Sequence, residues 1–409
     1  MKTSEIIVIG GGAAGLTAGI FAAEKSKSVT ILERARQPGR KILMSGGTRC
    51  NVLPVRATLD DYFTDSSRNR LKNIFKSWSV QQCHSWFEQS LGLEMACEEE
   101  SNKWFPVSNS AREVRDRLVA AFEKAGGQLH CNASVESIHH DGDAWICTTA
   151  DQQTYRSPKL IIATGGLSIP TTGTDGTGHS IIQRLGHSLH PTFPALTPLK
   201  GKHPGTEPLP GVSMQVSLSV RSKSNGKHLF TSNRKGFVFT HQGYSGPAVL
   251  DISHFITKNS AIKDNDVEIR VNWLDRDADW WMEQFQGKHS VKPLLRKYLP
   301  KRLTDNLLEE ASIGDKKTAE LNKKEKQHLL NLLTNYPLPC KGHLGYSKAE
   351  VTGGGVPLDE INPATMESKI LPGLYLCGEI LDVFGRIGGF NFYWAWVSGR
   401  LAGQSTTDN

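Results

Sequence analysis

The sequence has little that would place it outside the ordinary globular enzymes. Its seven cysteines are scattered, with no CxxC pair and no Cys/His grouping at metal-ligand spacing. An odd, dispersed set reads as reduced thiols, and excludes both a disulfide framework and a zinc module. No apolar run approaches the ~18 residues that a membrane helix requires. The first strand-like run begins at Glu5, which leaves no room for a leader peptide. The expected compartment is therefore the cytosol, with no membrane partner. Internal repeats and low-complexity tracts are absent. Positive charge is only mildly in excess, +7 over 409 residues, less than a dedicated nucleic-acid binder carries.

What is present is a globular composition, 38% hydrophobic and 22% charged, which argues against disorder in a chain long enough for two or three domains. The positive excess is unevenly placed. Between Lys288 and Lys326 eleven Lys/Arg stand against six Asp/Glu, so five of the seven net charges fall within 39 residues. Such a run is either a solvated helical face or a surface for phosphates.

The N-terminus carries the most specific pattern. Glu5 to Ile9 is a short apolar run suited to a buried parallel strand. A glycine turn follows, with Gly10, Gly12 and Gly15 at GxGxxG spacing and Ala13 and Ala14 opening a helix. The first glycine permits the turn, the second lets a pyrophosphate approach the backbone, and the third lets the helix pack on the sheet. The helix N-terminus favours the negative charge of the phosphates. Ser28 to Leu32 reads as the second strand, and Glu33 at its end suits the ribose hydroxyls of an adenosine while repelling a 2′-phosphate. A lone GxGxxG is weak evidence. With strand, helix, second strand and terminal acid in place it predicts a bound dinucleotide.

Two further segments favour FAD over NAD as that dinucleotide. Residues 39–51 combine glycine with cationic and hydrogen-bonding groups: Arg40, Lys41, Ser45, Gly46, Arg49, Cys50 and Asn51. Such a loop can follow an extended cofactor along its pyrophosphate and ribityl chain, Lys41 and Arg49 offsetting phosphate or reduced-flavin charge. Near the C-terminus a strand enters a glycine turn at Gly378 and Glu379, and Asp382 falls where a carboxylate suits a ribityl hydroxyl. Gly388, Gly389, Phe390 and Asn391 then open a final helix whose N-terminus suits the pyrimidine edge of a flavin. Ile161–Gly166 is another strand running into a glycine turn, with Thr164 and Gly165 placed to flank the adenosine, and Val135 is positioned to meet the adenine through its backbone.

These residues resemble the BaiN-like NAD(P)/FAD-dependent oxidoreductases, also known as aminoacetone-oxidase-family or YhiN-like flavoproteins. The resemblance covers essentially the whole chain. It rests on GRKILMSGGTRCN (39–51), ATGGLSIPTTGTDGTGH (163–179), FTHQGYSGPAVL (239–250), VTGGG (351–355) and GEILDVFGRIGGFN (378–391). Two departures stand out: Thr48 occupies a position where the family usually has glycine, and Val52-Leu53-Pro54 replaces the usual threonine-asparagine.

The resemblance implies an α/β fold: a Rossmann-like, glutathione-reductase-like FAD domain, interrupted by an inserted β-rich domain with a small helical subdomain nested in it. The pattern along the chain supports the same division. Met214–Val220, Gly236–Thr240 and Val267–Asn272 alternate as strands, and Asn225-Gly226 is a hairpin turn signal. The expected boundaries are 1–190 and 345–409 for the FAD domain, 191–277 and 336–344 for the β-rich insert, and 278–335 for the helices.

Enzymes of the disulfide-reductase type carry a second dinucleotide fold and a redox cysteine pair, and this sequence has neither. A nicotinamide visiting the flavin transiently, which the family name implies, would have no site of its own. Proton donors beside a flavin are few: His241, with Ser245 in the same THQGYSGP turn, and Cys50. The turn could equally be a domain stitch, and Cys50 a buried, inert thiol. His179 and His187 sit near glycine turns and read as structural hydrogen-bonders. Members of the family are associated with reduction of conjugated C=C bonds, in steroid-like enones and in uracil of ribosomal RNA, and amine oxidation is an older label. The leading expectation is an FAD-dependent reductase of an activated C=C bond with NAD(P)H as donor; an RNA substrate would make 288–326 its phosphate-binding surface. The alternatives are an O2-using amine oxidase and a non-catalytic flavin-binding interaction protein.

Overall fold

A computed structural model of the chain describes residues 1–262 and 266–407. It divides into two compact units, Met1–Thr192 with Val351–Asn409, and Phe193–Glu350.

The first unit is built on a five-stranded parallel sheet in the order Leu374–Leu376, Lys159–Ile162, Ile6–Ile9, Val29–Leu32, Gln128–His130. Ile6–Ile9 and Val29–Leu32 are buried along their whole length, which is why both read as continuous apolar runs and do not alternate. The helix Ala13–Ala23 is buried on nearly every side. It is covered by the C-terminal helix Phe390–Ser405, and small residues set the closeness of that crossing. A Cβ on Gly399 would stand 2.5 Å from the Ala14 carbonyl oxygen, and one on Gly403 would collide with that of Ala18. The C-terminal helix is thus packed directly on the helix that follows the glycine turn. A four-stranded sheet (Lys2–Thr3, Thr154–Ser157, Trp145–Thr149, Val135–His140) and a three-stranded one (Leu53–Pro54, Lys103–Pro106, Met95–Glu98) belong to the same unit.

The second unit is an eight-stranded antiparallel sheet that runs Tyr336–Leu338, Val267–Asn272, Ser213–Ser222, Lys235–Thr240, Gly243–Ser245, Leu199–Lys200, Gly342–His343, with His228–Thr231 paired to Ser213–Ser222. Gly226, at φ +68°, turns the hairpin between those last two strands. The helices Ala278–Gln284, Val291–Arg296, Lys301–Ala311 and Lys323–Thr334 share one apolar core with this sheet, through Trp273, Trp281, Phe285, Leu303, Leu307 and Leu333. The fold is therefore mixed α/β, with a Rossmann-like parallel sheet and additional antiparallel sheets. No helix among the described residues is long and apolar enough to cross a membrane.

Candidate functional site

The glycine turn after Ile6–Ile9 is shaped by what has no room. Gly10 sits at φ +103°, and a Cβ there would stand 2.5 Å from the Ala163 carbonyl oxygen. A Cβ on Gly15 would fall on the carbonyl oxygen of Gly10. Gly12 is different: nothing lies within 4 Å of where its Cβ would be. Gly12 is also the N-cap of the helix Ala13–Ala23, which has no side-chain cap and no acid in its first turn. The uncapped amide end at Ala13 and Ala14 thus opens on space that the protein's own side chains leave empty, a seat suited to an anion.

Glu33 stands beside this seat, 8% exposed. Its carboxylate accepts from the Gly11 amide at 2.6 Å and from the Ala35 amide at 2.7 Å. Burial raises its pKa above the ordinary glutamate value, against the opposing pull of those two amides. The Ala133 and Asn132 amides donate to the carbonyls of Glu33 and Ala35, which brings the start of the strand Val135–His140 to the same end. A cleft of about 210 Å³ opens there, lined by Arg34, Ala35, Arg40, Pro170, Thr171, Gly173 and Asp175. Arg34 bridges to Asp175 at 2.7 Å and donates to the Gly173 carbonyl. Of these lining residues sequence reasoning named Arg40, and Pro170, Thr171, Gly173 and Asp175 fall inside the 163–179 motif, but their proximity to Arg34 is not encoded locally.

The loop 39–51 is anchored by the Gly39 amide, which donates to the Gly11 carbonyl at 2.8 Å. Arg40–Met44 is a short helix, and beyond it Gly46, Gly47, Thr48 and Cys50 all have φ between +55° and +72°. A β-branched residue in the left-handed region is strained by about 1–2 kcal/mol. This explains why glycine suits position 48, and yields a prediction. Thr48→Gly should stabilise the protein by about 0.5–1 kcal/mol in urea unfolding, the gain in relieved strain exceeding the added unfolded-state entropy. A less stable Thr48→Gly would refute the strain.

Lys41 and Glu379 were each expected to touch the cofactor, but the structure joins them to each other. Lys41 Nζ lies 2.8 Å from Glu379 Oε2 and 2.7 Å from Ser168 Oγ. Ser168 Oγ and the Thr352 amide also donate to Glu379 Oε1. Burial by itself would raise the Glu379 carboxyl, but the Lys41 charge and the bonds from Lys41, Ser168 and Thr352 hold it below the ordinary value. Ser168 and Thr352 were not foreseen. Gly378, at φ +77°, donates its amide to Ser398 on the C-terminal helix. That helix begins at Phe390 after Gly388 and Gly389 (φ +119° and +91°), again with no side-chain cap and no acid in its first turn.

The structure places four further candidates within the protein's own contacts. Asp382 does not present Oδ2 to a ribityl hydroxyl: that oxygen accepts from Thr64 Oγ1, the amides of Asp65 and Ser66, Ser66 Oγ and His190 Nδ1. It pins the 64–66 loop instead. The side-chain amide of Asn391 is engaged locally. Its Oδ1 accepts from the Gly385 amide, and its Nδ2 donates to the carbonyls of Gly385 and Arg386. Arg49 pairs with Glu98 at 3.1 Å and lies over the Phe105 ring, so its charge is committed to a half-exposed pair. Cys50 is fully buried, and burial pushes its thiol up to about 12, far from the range of a proton donor at neutral pH. Ser45 Oγ donates to the Ile42 carbonyl.

His241 lies in the second unit, exposed in the turn between Lys235–Thr240 and Gly243–Ser245. His187 bonds Glu360 at 2.6 Å and Ser368 at 2.9 Å, and His179 bonds the Ile380 carbonyl. Among the described residues no cluster of His, Cys, Asp or Glu could hold a metal ion.

The residues fit an FAD. Besides the two uncapped helix ends, two buried side-chain oxygens in the cradle, Thr164 Oγ1 and Asn51 Oδ1, have no protein partner. Orphaned buried acceptors of this kind are what a polar ligand satisfies.

Comparison with known proteins agrees with this geometry. Residues 4–405 match the family described as HI0933-like protein Rossmann domain. The chain is 32% identical over 415 residues to a ribosomal RNA dihydrouridine synthase of Escherichia coli (strain K12), covering 99% of this chain and 98% of that protein. It is 30% identical over 416 residues to a 3-dehydro-bile acid delta(4,6)-reductase of Clostridium scindens, covering 99% of each. Among solved structures, a 3-ketosteroid delta1-dehydrogenase from Sterolibacterium denitrificans shares the fold over the full length of both chains, with a TM-score of 0.52 at 12% identity.

Proposed function

Because the chain belongs to the HI0933-like Rossmann family and is an FAD-dependent oxidoreductase, we propose that it reduces an activated C=C bond, of the enone or uracil type, with NAD(P)H as electron donor. One observation carries the reading. All seven cysteines are free thiols, and the two in the flavin cradle, Cys50 and Cys377, are fully buried with their pKa values raised. Two buried, unpaired thiols are ill-suited to relay electrons, which supports an acceptor that reduced flavin meets directly. Both curated relatives are named for reactions on unsaturated carbon, in ribosomal RNA and in a bile acid.

Bound FAD supplies the hydride chemistry. The chain's residues would hold it: the amides at Gly12–Ala14 are suited to the pyrophosphate, Glu33 to the ribose, Val135 to the adenine, and the helix end at Gly389–Phe390 to the pyrimidine edge.

Anaerobic stopped-flow mixing tests the proposal. The flavin of the purified protein should bleach with NADH or NADPH and recolour when an enone or a uridine-containing RNA is added. Flavin that ignores both nucleotides but is reduced by an amine would establish the oxidase instead.

A further inference from the structure

Both cations that the sequence offered to a reduced flavin are already paired. Lys41 binds Glu379 at 2.8 Å, and Arg49 binds Glu98 at 3.1 Å. Arg386, two residues before Gly388, lies 3.7 Å from Asp61 and donates its amide to the Asp61 carbonyl. A further cation, Lys103, is brought by the fold to the start of the C-terminal helix.

Its position follows from strand register. Lys103 opens the strand Lys103–Pro106, which pairs antiparallel with Leu53–Pro54, so that Pro54 stands opposite Lys103 and Leu53 opposite Trp104. The Val52 and Val55 amides extend this ladder, donating to the carbonyls of Trp104 and Asn102. The same 51–54 segment lies against Gly389. A Cβ there would stand 2.8 Å from the Leu53 carbonyl carbon and 3.2 Å from the Asn51 carbonyl oxygen. The lysine side chain completes the contact: its Cε would lie 3.0 Å from a Cβ on Gly388, which at φ +119° favours having none. The partly buried lysine stem thus lies over Gly388, two residues before the helix Phe390–Ser405 begins.

A positive charge at this end works against the helix dipole, so stability alone does not account for it. An anion held between the lysine and the helix amides resolves the conflict. Two observations independent of Lys103 mark the same place as a ligand seat. The helix has neither a side-chain cap nor an acid in its first turn, and the buried Oδ1 of Asn51 has no protein partner. Glu98, opposite Lys103 in the hairpin with Met95–Glu98, accepts from Arg49 and from the Ser101 hydroxyl.

We propose that Lys103 stabilises the negative charge of the reduced flavin at its pyrimidine edge, the role for which the 39–51 loop offered Lys41 and Arg49. This rests on the flavin placement in the reading above and is independent of the acceptor. As the C4–H bond of the nicotinamide breaks and the flavin N5–H bond forms, the hydride brings two electrons and one proton. The negative charge that results is spread over N1 and the C2 carbonyl oxygen. A lysine and helix amides at that edge hold this charge more tightly than the neutral oxidised ring, and so raise the reduction potential.

The test is the two-electron midpoint potential of the FAD-loaded protein, read anaerobically against a dye of known potential. Lys103→Met should weaken binding of reduced relative to oxidised flavin by tenfold or more, which lowers the potential by about 30 mV or more. Lys103→Gln, neutral but polar, should show the same fall, and Lys103→Arg, which keeps the charge, should stay close to wild type. So should Lys124→Met, which removes an exposed lysine from the same unit. Thermal melting of the loaded proteins checks that fold and flavin are retained. A potential unchanged in both neutral variants overturns the assignment. A fall in Lys103→Arg as large as in Lys103→Met also overturns it, since side-chain fit and not charge would then be at work. Wild-type bleaching by NADH or NADPH and recolouring by an enone, measured in parallel, decides the reductase reading separately.

Discussion

Gly15→Ala should emerge from purification colourless and Gly12→Ala nearly so, but for different reasons that the stability of the two proteins will separate. The Cβ of an alanine at position 15 would fall on the Gly10 carbonyl oxygen, with the Ala163 side chain 3.3 Å away. Neither obstacle is a flexible side chain, so the helix Ala13–Ala23 must lift from the sheet. Overpacking of this kind costs about 1–3 kcal/mol, and more where backbone must move. That helix is also the platform for the C-terminal helix through Gly399 and Gly403, so the disturbance reaches both ends of the flavin cradle. We expect Gly15→Ala to lose at least about 3 kcal/mol of stability and, with the amide end displaced, about 100-fold or more in FAD affinity. Gly12→Ala meets nothing of the protein within 4 Å, and its φ of −79° suits alanine. Its stability without added flavin should change by less than about 1 kcal/mol, the ordinary difference at an N-cap. Its FAD affinity should fall by tenfold or more, because the added methyl takes the space a pyrophosphate needs. Isothermal titration with FAD, beside urea unfolding, reads both quantities. A Gly12→Ala protein that binds FAD as wild type does would place the pyrophosphate elsewhere.

That contrast also marks where the sequence is informative. GxGxxG, the terminal Glu33 and the apolar strands on either side lie within about thirty residues, and local spacing fixes their geometry. The C-terminal helix start at Gly388–Phe390 was legible for the same reason. The partners of Asp382 Oδ2 were not legible, because they come from residues 64–66 and from His190, at least 192 positions away. A buried carboxylate beside a glycine turn looks the same in sequence whether its partner is a ribose or a distant loop. The side-chain partners of Asn391 escaped notice for the opposite reason: they are only five and six residues back. Thr48 was recognised as a departure, but the reason glycine fits there is a positive φ, which spacing does not reveal. For Cys50 both outcomes were foreseen and burial decided between them, whereas the carboxylate that pairs with Arg49 comes from another strand, Met95–Glu98.

The pair least visible in sequence carries the other large effect. Lys41 and Glu379 are 338 positions apart, and both are mostly shielded from water. Removing Lys41 leaves a carboxylate in a site whose burial opposes its charge, a situation that costs about 3–5 kcal/mol. The pH dependence distinguishes this from simple loss of packing. In the wild type Glu379 binds its proton less tightly than the unfolded chain does, being held below 4.5. Its contribution is complete above that value and is lost as pH falls through the native pKa. In Lys41→Met the burial cost is no longer balanced by a cation, so the native pKa should rise above 4.5. The variant then loses stability as pH climbs from the unfolded value through the raised native one. The deficit relative to wild type should therefore be small near pH 4 and grow to about 3–5 kcal/mol by pH 7, measured by urea unfolding at saturating FAD. Glu379→Gln should abolish the pH dependence of the deficit, and adding Lys41→Met to it should cost much less than Lys41→Met alone, since the two residues are coupled. A deficit for Lys41→Met that is the same at pH 4 and pH 7 would mean that the lysine acts through packing, and that Glu379 is held ionised by Ser168 and Thr352 alone.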